Sequence, residues 1–200
     1  MTGRNERTGG VRGAQMFAIA EGIVAADGAE AVTIRRVARE IGYTAPIVYQ
    51  HYTDKAALLD AVMLDAYERL AEQMRQARSG DRTQGPREVL HAYLDFAAAN
   101  PLTFLFMHGL SGVDISPARR LEAARVAVVV TLDSLQQRLP GRGDASAEEF
   151  GAQAEVLWAV ATGLALTASV QADGFDRVHA LADLALDPLL AVWEDHGEPS

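Results

Sequence analysis

Residues 33–55, TIRRVAREIGYTAPIVYQHYTDK, constrain the fold more than any other stretch, because 23 residues hold two helix starts, a helix stop and the approach to a third start. Thr33 precedes Ile34, Val37, Ala38 and Ile41, a buried face at helical spacing, and its hydroxyl suits an N-cap. That helix is about two turns long. Gly42 follows, where positive φ reverses the chain at little cost. Thr44 caps the next helix, and Pro46 falls in its first turn, where a missing N–H costs nothing. That helix is expected to run through Val48, Tyr49 and Gln50 to about His51, and Asp54 caps a fourth.

A supporting helix comes first, over about Ala14 to Asp27, where Phe17, Ala20, Ile23 and Val24 recur at three- and four-residue spacing and Gly28 supplies the stop. Two short helices on a tight glycine turn, preceded by a support, form the helix-turn-helix arrangement. Its second helix enters a DNA major groove and must carry small and polar side chains near its start. Thr44, Ala45, Pro46, Ile47, Gln50 and His51 meet that requirement.

Helical periodicity continues nearly to the end, and no stretch alternates as a strand would. The expected class is all-α. A long amphipathic helix covers Lys55 to about Arg78, roughly 36 Å at 1.5 Å per residue. Further helices are expected over Pro86–Asn100, Pro101–His108, Ser116–Leu139, Ala147–Gln171 and Arg177–Trp193. Ser146 and Glu149 make a capping box for the penultimate one, and Pro188 should kink or restart the last.

Charge divides along the chain. Residues 1–55 hold seven Arg or Lys against six Asp or Glu, while residues 56–200 hold eleven against twenty-one, so the net −9 sits C-terminal. Screening limits a charge to about 8 Å at physiological salt, so the N-terminal third can face phosphates despite the total. No cysteine is present, which removes disulfides and thiolate sites and fits a reducing cytoplasm. The polar N-terminus lacks the apolar run of a secretory signal, and the long uncharged stretch Val156–Ala172 is 17 residues with several polar ones, short of the roughly 20 apolar residues of a membrane span.

Catalytic and metal constellations are weak. His108, Ser111 and Asp114 are the types of a hydrolytic triad, but HGLSGVDIS lacks a nucleophile elbow. His51, His91, His179 and His196 are scattered, so no metal site and no cofactor are expected. The aromatic and sulfur-bearing side chains Phe96, Phe104, Phe106, Met107 and Trp158, with His108, either line an apolar pocket or fill the core.

Residues 14–64 resemble the tetracycline-repressor (TetR) family of bacterial transcription regulators, with agreement at Gly28, Thr33, Ile34, Val37, Ala38, Gly42, Tyr49, Tyr52, Lys55, Leu58 and Leu59. The resemblance implies that Thr33, Arg35, Arg36, Thr44, Tyr49, His51 and Lys55 meet the DNA backbone, and that Ala45, Pro46, Ile47 and Gln50 face bases. Ala45 and Pro46 stand where many members have Lys and Gly, which removes one cation and stiffens the helix start. LHAYLDFAAANPLTFLFMHGL and LWAVATGLAL are similar to the family's variant with a Trp-His-Gly signature, although Ala161, Thr162 and Gly163 replace its Val-His-Gly.

That similarity implies three parts: a flexible basic arm (1–13), a helix-turn-helix domain (14–55) and an effector-binding and dimerisation domain (56–200). The expected protein is a repressor that leaves an inverted-repeat DNA operator when a small apolar effector binds near Phe96, Phe104, Met107, His108, Trp158 and Thr162. It is expected to be a homodimer through its last two helices, which carry apolar residues on two faces each. Alternatives left open are an activator, a member without a ligand, and a helical hydrolase.

Overall fold

The computed structural model describes residues 10–138, 147–171 and 173–195. Among them are nine α-helices and no strand: α1 (Gly10–Asp27), α2 (Ile34–Glu40), α3 (Ala45–Val48), α4 (Lys55–Ala77), α5 (Gly85–Ala99), α6 (Pro101–Met107), α7 (Pro117–Arg138), α8 (Ala147–Ser169) and α9 (Val178–Asp195), with a 3-10 turn at Ala29–Ala31. The all-α expectation holds, and most boundaries fall within two residues of those read from sequence. Ser146, of the expected capping box, lies outside the described residues.

Contacts group the chain into two compact units. The first joins the described residues up to Tyr67 with Asn100–Ala124; the second joins Glu68–Ala99 with those from Arg125 onward. α4 passes from the first to the second after Tyr67, and α7 does so after Ala124.

In the first unit, α1 presents Met16, Phe17, Ala20, Ile23 and Val24 inward and packs on α2, on the 3-10 turn and on α6. α6 contributes Phe104, Phe106 and Met107, all at most 1% exposed. Tyr67 ties α4 to this core by donating its hydroxyl to the Met107 carbonyl at 3.1 Å. Leu58 and Leu59 of α4 are wholly buried, so truncating either to alanine should cost about 2–5 kcal/mol.

In the second unit, α5 packs on both α8 and α9, which also pack on each other. α9 buries Val178, Ala182, Leu186 and Leu190, one stripe at four-residue spacing. Ion pairs join its outer edge to α5 through Arg87, with Asp183 and Asp187, and the His91 and His179 Nε2 atoms lie 2.8 Å and 2.9 Å from carboxylate oxygens of Asp183 and Asp95. The His91 and His179 rings stack at 4.4 Å.

Two expectations need correction. Pro188 does not restart the last helix, because α9 continues from Val178 to Asp195 with Pro188 inside it. Ala165, a small residue of the penultimate helix that the expected dimer through the last two helices would use for close approach, is wholly buried within its own chain. α8 is apolar nearly all round, so its periodicity does not tell core face from outer face.

Candidate nucleic-acid interface

The interface begins with a capped helix. Thr33 is extended, at φ −134° and ψ 147°, and its hydroxyl accepts the Arg36 N–H at 3.1 Å. α2 then buries Ile34, Val37 and Ala38. Its end is a Schellman turn: Gly42, at φ 73°, donates its N–H to the Arg39 carbonyl at 3.1 Å, and Tyr43 donates to that of Ala38 at 2.9 Å. Only glycine takes that φ without strain, so the reversal between α2 and α3 depends on Gly42.

α3 is shorter than its sequence pattern suggests. It spans Ala45–Val48, with Pro46 in its first turn, and the chain then tightens into three-residue bonds from Gln50 N–H to Ile47 O at 3.2 Å and from His51 N–H to Val48 O at 3.0 Å. Tyr49, Gln50 and His51 therefore sit in a closing turn rather than in α-helix. Thr44 occupies the N-cap with extended backbone, yet its side chain makes no capping bond.

Two anchors hold this segment. Val48 is wholly buried, and Tyr52, 6% exposed, donates its hydroxyl to the Gly13 carbonyl at 3.4 Å, with burial raising the phenol pKa. α1 thus reaches back to Gly10, and residues 10–13 of the expected arm are helical; Arg4 and Arg7 lie outside the described residues.

The outer face collects most of the expected contact residues. Thr33, Arg35, Thr44, Pro46, Tyr49 and Gln50 are exposed, while Ala45, Ile47, His51 and Lys55 are half-buried. Lys55, first in α4, donates an ammonium N–H to the Glu30 carbonyl at 3.2 Å, which spends one of its three donors. Asp54 caps α4 by accepting the Ala57 N–H at 2.8 Å.

Arg36 differs from the rest. Its guanidinium pairs with Asp27 at the end of α1 and with Glu40, at 3.0 Å, at the end of α2. Hydrogen bonds to Asp27 and then Glu40 raise its pKa above the ordinary arginine value. Two further groups join the exposed face: Tyr43, just past the Schellman glycine, and Arg12, whose guanidinium carbon lies 5.6 Å from the Tyr43 ring centre. The position of Tyr43, immediately after the glycine stop, is the sequence signal that could have marked it.

The expected effector residues fall into both units. Phe104 and Met107 are wholly buried in the first unit. His108 caps α6 there, with Nδ1 2.9 Å from the Phe104 carbonyl and its ring 4.2 Å from that of Phe104. Burial lowers its pKa, so it sits at the helix end as a neutral imidazole rather than a cation.

Phe96, Trp158 and Thr162 belong to the second unit. A cavity in that unit is lined by Met74, Pro86, Val89, Leu90, Tyr93, Thr131, Leu157, Trp158 and Ala161. Trp158 meets Tyr93 edge-on at 5.1 Å, and the Tyr93 hydroxyl bonds to that of Thr162 at 2.8 Å. The room for a water-sized sphere is about 10 Å³, close to a single water. Among the described residues no three His, Asp or Glu gather to hold a metal, and no helix is long and apolar enough to cross a membrane.

Residues 17–62 match the family described as bacterial regulatory proteins, tetR family. No curated protein sequence matches the chain. Among solved structures, a protein of unknown function from Rhodococcus sp. RHA1 is 25% identical, with a TM-score of 0.71 over 92% of this chain and 95% of that one. A tetR-family transcriptional regulator from Streptomyces coelicolor is 19% identical at a TM-score of 0.69, covering 93% and 84%. The tetR-family regulator PfmR from Thermus thermophilus is 19% identical at 0.61, covering 88% and 97%. These likenesses extend the shared fold to both units, and the matched segment contains α2, Gly42 and α3. The match over residues 17–62 is to the segment of the tetR family of bacterial regulatory proteins that holds α2, Gly42 and α3, and it supports a DNA-binding role in transcription regulation.

Proposed function

We propose that the protein is a cytoplasmic repressor, binding an inverted-repeat operator as a homodimer and leaving it when a small apolar effector binds. The observation that carries the DNA role is the exposed row Thr44, Pro46, Tyr49 and Gln50, held over the wholly buried Val48. Gln50 has the amide that pairs bidentately with adenine, and Ala45, Pro46 and Ile47 supply apolar contact to base edges. Thr33, Arg35, Thr44, Tyr49, His51 and Lys55 meet phosphates, with Arg35 as the principal cation of α2. Arg36, committed to Asp27 and Glu40, acts by holding α2 to α1.

The effector site in this reading is the cavity beside Trp158, with Thr162 behind it through Tyr93 and Phe96 in the surrounding core. Phe104, Met107 and His108 have a packing role. An effector that favours one tilt of α4 over another shifts the population of DNA-competent dimers. Selection of genomic fragments by the purified protein tests the proposal. Recovered fragments should share an inverted repeat with half-sites about 34–36 Å apart or a multiple of that. Recovery of fragments without any common repeat would end it.

A further inference from the structure

We infer that Glu30 is an internal competitor for the Lys55 ammonium, and that Gly112, in the loop between α6 and α7, keeps it from competing. This deepens the DNA reading above and rests on it. Lys55 is the only lysine of the chain, so its compact ammonium is a point charge that no second lysine can replace.

The Glu30 carbonyl accepts the Lys55 ammonium at 3.2 Å, which sets that charge against the backbone of a residue that also carries a carboxylate. Yet the two side chains form no ion pair among the described residues. Asp54, beside Lys55 in sequence, is committed to capping the Ala57 N–H.

The Glu30 carboxylate lies over Gly112 instead. Its carbon Cδ is 2.6 Å from the point where a Cβ on Gly112 would be, closer than Cβ atoms come to neighbouring heavy atoms. Only glycine leaves that space open, and Gly112 also holds φ 71°, which glycine adopts at little cost. The 3-10 turn Ala29–Ala31, which carries Glu30, packs on α6, so the turn and the loop after α6 are held together within the first unit.

Carboxylate and phosphate both offer anionic oxygens to an ammonium. With Glu30 seated on Gly112, Lys55 keeps two N–H donors for phosphate. Released from Gly112, the Glu30 side chain folds back along its own turn to Lys55 and neutralises it. DNA affinity thus depends on the seat of the α6–α7 loop through one carboxylate, with no change in the recognition segment itself.

The test moves Glu30 and reads Lys55 in two ways. Gly112→Ala fills the space with a Cβ and displaces the carboxylate; Gly112→Asn does the same should the alanine variant fail to fold, because asparagine tolerates positive φ. Without DNA, the rate at which an amine-reactive ester acylates Lys55 is followed by mass spectrometry of the peptide that holds this single lysine. That rate should fall about two- to fivefold in Gly112→Ala, the factor by which an exposed ion pair holds an ammonium, and should recover in Gly112→Ala/Glu30→Gln. On a mixed-sequence DNA duplex, Gly112→Ala should bind about two- to fivefold more weakly, with a salt slope lower by up to about one unit. Adding Glu30→Gln should restore both, and in a Lys55→Ala background Gly112→Ala should add no loss.

An unchanged acylation rate, or a slowed one that Glu30→Gln does not restore, overturns the inference. So does a loss of DNA binding that Gly112→Ala still causes in the Lys55→Ala background. Slowed acylation that glutamine restores, in a chain that binds no DNA, supports the pairing and ends the DNA reading alone.

Discussion

Arg36 on α2 is bonded to Asp27 at the end of α1, and the pair joins the support helix to the helix that precedes the recognition segment. An arginine so held positions the fold, whereas its exposed neighbour Arg35 has its charge available for phosphate. Arg35→Ala should therefore weaken binding to all sequences alike and reduce the salt slope by about one unit. Arg36→Ala should leave that slope unchanged, and Asp27→Asn should weaken binding in the same way as Arg36→Ala. Fluorescence anisotropy across a salt series separates the roles; a lower slope for Arg36→Ala would return that residue to the phosphate contacts.

Thr33 and Thr44 occupy equivalent N-caps with different bonding, so their alanine variants should behave oppositely. Thr33→Ala removes the bond to the Arg36 N–H and should cost about 0.5–2 kcal/mol of stability. Thr44→Ala removes no capping bond, so denaturant unfolding should barely change while DNA affinity drops. Equal loss of stability in both variants would show that the Thr44 hydroxyl caps α3 in solution.

Gln50→Ala should relax the preference at one base step by about 1–3 kcal/mol while leaving affinity for random DNA unchanged. Binding to a library randomised across the half-site reads this directly. Uniform weakening would move Gln50 to the backbone contacts.

Much of this was legible in sequence because caps and stops are local. Gly28, Gly42 and Gly109 each end a helix at positive φ, and Pro101 opens α6, so helix limits follow from single residues. What was not legible depends on distant partners. The Arg36–Asp27 pair joins residues nine apart across a turn, and no spacing rule announces it. The aromatic run from Phe96 to His108 reads as one cluster along the chain, yet the chain passes from the second unit to the first at Asn100. Trp158 and Thr162 thus share a unit with Phe96 but not with Phe104. The shortened α3 was hidden as well, because three-residue and four-residue bonding look alike in a sequence pattern.

His108 gives the first unit a pH dependence with a defined sign. Burial, with a smaller contribution from the Arg120 charge, lowers its pKa, so below about pH 6.5 the unfolded chain takes up a proton that the folded one resists. Stability is intact above that pH and falls as pH drops toward the lowered folded value. His108→Gln should flatten the loss between about pH 7 and 5.5, measured as the difference in unfolding free energy between the two chains. Parallel curves for both would mean that the imidazole is not desolvated.

The last prediction concerns assembly. With Val178, Ala182, Leu186 and Leu190 committed to the core, α9 turns Leu181, Leu184 and Val192 outward at 39%, 73% and 51% exposure, and α8 adds Val156 at 41%. Beside them Gly163 is exposed, with nothing within 4 Å of where a Cβ would lie, so a partner backbone can approach closely there. An apolar surface of this kind, built from two adjacent helices, suits a two-fold four-helix seam. Leu184→Arg places a charge in that seam without touching the core, so it should sediment as a folded monomer with unchanged helical circular dichroism and weak operator binding. Ala165→Arg, by contrast, puts a charge into a wholly buried position and should unfold the chain instead of separating subunits. If the unmodified protein sediments as a monomer at micromolar concentration, or Leu184→Arg remains a dimer, the α8–α9 seam is wrong; the monomer result also removes the basis for an inverted repeat.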